Sequence, residues 1–177
     1  MKKLFFTTLT ALLFTFTGNT QISATLNGGT LLVSDWDEGA FLGFNLEGKY
    51  DINENMRAGI ALGFYNWSES ENGFKFGLNI IPVSASFEYK ILTGDFRPYA
   101  GINLGLNRTS SYFKIDGESD RDAENDLSFA PVVGAEYWIS DNLGINFNAK
   151  YHYILNGDGN VDNLTAIALN LGVVYAF

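Results

Sequence analysis

Three sets of residues in this chain have types and spacing that could do chemistry. The first is Asp158-Gly159-Asn160-Val161-Asp162, where side-chain oxygens recur at i, i+2 and i+4. Calcium loops use that spacing, so Asp158, Asn160 and Asp162 are candidate ligands for a hard divalent cation. The stretch lacks the glycine after the third ligand and the distal glutamate of an EF-hand, so the signal is weak. The second set is a single residue, His152, flanked by Tyr151, Tyr153 and Ile154. A histidine can serve as general base, but one without a partner acid nearby in sequence is expected to be a hydrogen-bonded structural residue. The third set is a run of acids and bases, Glu47, Lys49, Arg57, Glu88, Lys90, Arg97, Glu136 and Lys150, joined by Asp51 and Lys75. These all fall on the polar phase of segments that alternate with a period of two.

That alternation defines the elements that must position them. In the last segment, Thr165, Ile167, Leu169, Leu171, Val173, Tyr175 and Phe177 oppose Ala166, Ala168, Asn170, Gly172, Val174 and Ala176. One face is large and apolar and the other small or polar, the signature of a half-buried strand. Eight such segments are predicted, at about 22–34, 39–52, 56–67, 74–91, 96–115, 127–139, 143–155 and 164–177. The second, fourth and sixth connections are tight (Asn53–Asn55, Leu92–Asp95, Ser140–Asn142). The others, Asp35–Glu38, Ser68–Gly73, Asp116–Asp126 and Asn156–Asn163, are acidic and mostly longer. Short turns on one side and long loops on the other match an up-and-down barrel crossing an outer membrane. The apolar phase of 74–91 changes from even to odd at Ile80-Ile81-Pro82, which predicts a β-bulge there. Pro131 falls mid-strand on the apolar face, where its missing donor has no evident accommodation.

The chain opens with Met1-Lys2-Lys3, an apolar run from Leu4 to Phe16 and small or polar residues at Gly18 to Thr20. A charged start, a short apolar stretch and small residues before the cut define a secretory signal over residues 1–20, with cleavage before Gln21 or after Ala24. A membrane-spanning helix would need about 20 apolar residues. The mature domain is then 21–177, and losing two lysines takes the formal charge from −9 to −11. Such an acidic chain is no nucleic-acid binder, which calls for a basic surface. There is no cysteine, which excludes disulfides and lipid attachment through a lipobox.

A secreted soluble barrel of the lipocalin type would also have eight strands, with its apolar face inside. Aromatic placement argues for the membrane. Tyr50, Tyr89, Tyr137, Tyr175 and Phe177 lie near the short-turn ends, and Trp36, Trp67, Phe74, Phe76, Tyr151 and Tyr153 near the long-loop ends. Two aromatic girdles around an aliphatic band are what bilayer interfaces select.

Three further stretches carry a family resemblance. They are Arg97-Pro98-Tyr99-Ala100-Gly101-Ile102-Asn103, Gly134-Ala135-Glu136-Tyr137 leading to Ser140-Asp141-Asn142-Leu143, and the terminal Val173-Val174-Tyr175-Ala176-Phe177. With these, residues 21–177 resemble the small eight-stranded OmpA/OmpX-type outer-membrane barrels of Gram-negative bacteria. The resemblance implies an all-β, antiparallel transmembrane barrel, monomeric and without cofactor. It also implies that Tyr175 and Phe177 form the signal read by the barrel-assembly machinery. No peptidoglycan-binding domain follows in this sequence, so a wall-anchoring role is not implied. Some eight-stranded barrels modify lipid A with a histidine, a serine and an acid. His152 has no serine two residues on, and a non-enzymatic protein is expected.

The expected role is structural or in surface interaction, with the Glu47–Lys150 set forming ion pairs that fill the lumen. The alternative is a narrow path for ions or small solutes. Partners would be outer-membrane lipid and lipopolysaccharide, with divalent cations at the acidic loops as a candidate.

Overall fold

A computed structural model of the chain describes residues 21–34, 36, 39–71, 74–115, 118–155 and 164–177. The signal over 1–20 and the candidate cation ligands Asp158, Asn160 and Asp162 lie outside the described residues. Eight strands follow in order: β1 (Ile22–Val33), β2 (Phe41–Asp51), β3 (Met56–Glu71), β4 (Phe74–Lys90), β5 (Phe96–Ile115), β6 (Glu118–Trp138), β7 (Leu143–Leu155) and β8 (Leu164–Ala176). Each pairs antiparallel with the next, and β1 pairs with β8 from Ser23↔Ala176 to Val33↔Ala166. The sheet closes on itself and leaves no edge within the membrane, the condition lipid imposes on strands.

The tight turns are closed by local side chains. The Asn53 side-chain oxygen accepts from the backbone of Asn55 and Met56 at 2.9 and 2.8 Å. At the sixth connection Ser140 Oγ accepts from Leu143 N at 3.2 Å. Both polar residues satisfy donors that a two-strand reversal would otherwise leave free.

The barrel is inverted relative to a soluble one. Ile60 is 72% exposed and Leu171 60%, while Asn27, Asn146 and Asn148 are fully buried and Glu47, Lys49 and Arg57 nearly so. Apolar side chains outward and polar ones inward suit a hydrocarbon solvent and exclude the lipocalin arrangement. The lower aromatic girdle is in place, with Tyr50, Tyr89, Tyr137, Tyr175 and Phe177 all exposed. The upper one differs from expectation. Tyr151 faces outward, but Trp36 and Trp67 pack inward against Leu31, Phe41, Tyr65 and Ile80.

That inner cluster also removes the expected bulge. The β3–β4 register keeps one sum from Met56↔Tyr89 to Glu71↔Phe74, and β4 pairs with β5 without interruption. Leu78 and Ile80 are therefore on the same inward phase as Glu88, and their apolarity caps the lumen instead of marking a slip. Pro82 opens a gap in the β3 ladder between Leu62↔Val83 and Tyr65↔Ile80, and its β5 pairing is unbroken. Pro131 does the same on the β7 side, between Phe129↔Tyr153 and Val132↔Lys150. Each proline turns its donor-less nitrogen to one neighbour only, so the ladder loses two positions and the register survives.

The acidic stretch expected as the third exterior loop is mostly strand. Residues 118–126 belong to β6 and pair with β5 as far as Ile115↔Glu118. Acids there alternate with Ser, Arg, Ala and Asn, a period of two that charge alone obscured.

Candidate functional site: the lumen

The lumen is built in layers from inward-phase residues. Towards the long-loop end lies the apolar cluster of Leu31, Phe41, Tyr65, Ile80, Ala166 and Ala168. Trp36 meets Trp67 edge-on at 4.9 Å, and Trp67 meets Phe76 at 6.1 Å, extending this stopper upward. Edge-to-face rings add to the burial of their own area. At the short-turn end Trp138, Val174 and Ala176 form a second, smaller apolar layer.

Between them runs a chain of amides and phenols. Tyr99 donates to Asn146, Asn146 to Asn27, and Asn27 to Asn45, at 2.9, 2.8 and 2.8 Å. Asn45 donates to the Tyr65 hydroxyl at 3.3 Å, Tyr65 to Asn170 at 2.9 Å, and Asn170 to Asn148 at 2.9 Å. Six of the eight strands contribute. A side-chain amide carries donors and an acceptor, so a ring of them can satisfy itself out of water.

The charged residues form a second chain of alternating sign. Lys150 pairs with Glu47, Glu47 with Lys49 at 2.8 Å, and Lys49 with Glu88 at 3.2 Å. Glu88 binds Arg57 Nε, and Arg57 Nη1 reaches Glu136 at 2.7 Å. Three cations and three carboxylates thus balance. Isolated charges here would be prohibitively costly, and an alternating string gives all but its two ends a partner on either side. Tyr99 ties the two chains together, its ring 5.1 Å from Lys49 Nζ and 4.6 Å from the Arg57 guanidinium carbon. Gly134 on β6 makes room, since a Cβ there would stand 2.5 Å from the Tyr99 ring.

Of the eight residues expected in the network, the geometry joins Glu47, Lys49, Arg57, Glu88, Glu136 and Lys150 directly. Lys90 makes a separate pair with Asp51 at 2.8 Å near the short turns. Arg97 stands outside the network: it donates to Gly94 O at 2.8 Å and lies over the Trp138 ring at 4.5 Å. Its position beside a turn lets the guanidinium reach the floor of the barrel and a backbone carbonyl. Lys75, expected inside with them, belongs to β4, whose register carries no bulge. Sequence reasoning missed Tyr99, Tyr65 and the asparagines. Their signal was present, because Asn27, Asn45, Asn146, Asn148 and Asn170 share the phase of the charges.

His152 is buried and lines a cavity of about 20 Å³ with Asn45, Tyr65, Asn103 and Lys150. That space holds about one water molecule and no substrate. Among the described residues, no group of three His, Asp or Glu side chains could hold a metal ion.

A closed eight-stranded barrel, apolar outside and filled with paired charges, defines an integral outer-membrane protein. Residues 11–177 match the outer membrane protein beta-barrel domain, and the chain belongs to that family. It is 21% identical over 140 residues to an uncharacterized protein of Haemophilus influenzae, spanning 72% of this chain and 71% of that one. Neisserial surface protein A has a similar structure, with TM-score 0.69 and 22% identity over 91% of this chain and all of the other. Ail, the attachment invasion locus protein of Yersinia pestis, aligns with TM-score 0.63 and 18% identity over 88% and 96%. A major outer membrane protein of Thermus thermophilus gives 0.65 and 14% over 88% and 99%. At these identities the likeness is one of fold.

Proposed function

We propose that this protein works through its outer surfaces, as a structural and surface-interaction barrel, and not through a path along its axis. The observation that carries this reading is the filling of the lumen: an apolar stopper and an apolar floor close the two ends, and between them the amide chain and a neutral ion-pair chain run side by side, Asn146 lying directly across from Glu136. An eight-stranded barrel has room inside only for side chains, and these fill it. The exterior ends of β3 to β6 continue well past those of β7 and β8, giving the side turned away from the cell a raised wall. On this reading the partners are outer-membrane lipid, including lipopolysaccharide, with the barrel-assembly machinery engaging Tyr175 and Phe177. The pair of aromatics meets edge-on at 5.2 Å, exposed at the end of β8. The residues Glu47, Lys49, Arg57, Glu88, Glu136 and Lys150 serve as the plug.

Planar-bilayer recording of the purified protein tests the closed lumen. Silence is expected from the wild type. Resolved conductance steps would replace this reading with a narrow channel.

A further inference from the structure

Glu47, Glu88, Glu136 and Asp51 are each matched by a cation inside the barrel. Two carboxylates on the inner face of the raised wall are not. Asp126 is half-buried and Glu124 exposed, two residues apart on one face of β6. Leu127 beside them is 63% exposed on the lipid side, which puts the pair on the inward phase. Neither carboxylate has an ion-pair or hydrogen-bond partner among the described residues. Arg108, next to them on β5, is exposed on the opposite phase and makes no ion pair with either.

Strand β5 sets two oxygen-bearing side chains against this pair. Asn107 lies across the ladder from Asp126, and Thr109 across from Glu124. Directly opposed residues have Cβ atoms about 4.5–5.5 Å apart, so the four side chains form one block. Asn107 is only 1% exposed, and neither its Oδ1 nor its Nδ2 has a hydrogen-bond partner. Asn103 and Asn148 each leave one amide atom unpaired, and each bonds through the other. Asn107 leaves both, a costly state for a buried amide. An open cavity of about 240 Å³ is lined by Leu78, Thr109, Ser111 and Glu124. Thr109 and Glu124 belong to both cavity and block, so an ion can reach the block from the exterior mouth.

We infer that Asn107, Thr109, Glu124 and Asp126 bind one hard divalent cation of the calcium type. The carboxylates supply the charge, the Asn107 carbonyl and the Thr109 hydroxyl supply neutral oxygens, and water from the cavity completes the shell. One ion thereby gives both carboxylates and the buried amide a shared partner. Calcium accepts an irregular set of six to eight oxygens, whereas magnesium demands a near-ideal octahedron. A block whose spacing is fixed by a β-ladder suits calcium. The ion would join β5 to β6 beside Ile80, which lies across from Thr109 at the edge of the apolar stopper. These residues are distinct from Asp158, Asn160 and Asp162. The inference goes beyond the surface role proposed above and holds whether or not the lumen conducts.

The test uses the full barrel, folded in neutral detergent micelles and stripped of metal with a chelator. Equilibrium dialysis against radioactive calcium, at physiological ionic strength, counts bound ions per barrel. Wild type should bind with a dissociation constant on the order of 10⁻⁴–10⁻³ M, the range of extracellular sites. Asp126→Asn with Glu124→Gln should bind one ion fewer. Asn107→Leu should lose the same ion, yet its urea midpoint in chelator should equal or exceed that of wild type, because two unsatisfied groups are gone. Added calcium should raise the wild-type midpoint and leave those of both variants in place. Glu54→Gln, in the tight β2–β3 turn, should bind as wild type does. Heat-modifiable mobility verifies that each variant is folded. An unchanged count in the Asp126 and Glu124 double variant would overturn the inference and assign the ions to other acids. It would also be overturned by an Asn107→Leu variant that keeps the ion, by magnesium binding more tightly than calcium, or by a wild type that binds nothing at millimolar calcium.

Discussion

The Tyr99 ring sits 4.6 Å from the Arg57 guanidinium, and its hydroxyl donates to Asn146 at 2.9 Å, so one side chain joins the ionic and amide chains of the lumen. Tyr99→Phe keeps the ring beside Arg57 and leaves the Asn146 oxygen without its donor. The expected cost is about 1–3 kcal/mol, the penalty for an unsatisfied buried acceptor. Urea unfolding from lipid vesicles would measure it. Tyr99→Leu removes the ring as well and should cost more. Equal losses would mean that the cation–ring contact contributes nothing.

The ion-pair string predicts a rank order. Glu47 is the carboxylate that the structure gives Lys150, and it also holds Lys49. Arg57 retains Glu88 when Glu136 is removed. Glu47→Ala should therefore destabilise the barrel by roughly 3–5 kcal/mol, and Glu136→Ala by less. Asp141→Ala, in an exposed turn, should stay within about 0.5 kcal/mol. The same vesicle unfolding series reads all three, and a Glu136 variant weaker than the Glu47 variant would contradict the connectivity.

How much of this was legible in the sequence follows from what alternation encodes. It identifies which residues share a face, and so the barrel, the lipid band and six members of the ion-pair chain could be placed. It does not say whether an apolar run on the polar phase is a slip of register or an apolar layer inside. Leu78 and Ile80 were ambiguous for that reason. Trp67 belongs to the same ambiguity, since a tryptophan near a strand end suits an interface or a stopper equally well. Pairings such as Lys150 with Glu47 depend on diameter and side-chain reach, which no local pattern records.

Phe177 N donates to Ile22 O at 3.0 Å, so the last residue fastens the seam between the first and last strands. Deleting Phe177 should sharply lower the amount of folded, heat-modifiable protein in outer-membrane fractions. Refolding in vitro should suffer far less, because one seam bond and one exposed ring are lost. A similar deficit in both settings would make Phe177 a stability residue and not an assembly signal.

Orientation can be read with cysteines, since the chain has none of its own. Ala123→Cys on the raised wall should react on intact cells with a membrane-impermeant maleimide. Glu54→Cys, in the tight β2–β3 turn, should react only after the outer membrane is opened. The reverse pattern would turn the barrel upside down.

The partnership of Lys150 with Glu47 spans 103 residues and links β7 to β2. The early strands can pair Glu47 with Lys49 and Glu88 with Arg57 among themselves, whereas Lys150 of β7 and Glu136 of β6 meet their counter-charges, Glu47 and Arg57, only across the curved sheet. An open, half-curled intermediate in lipid would expose those charges to hydrocarbon, so insertion and closure are driven to occur as one kinetic event.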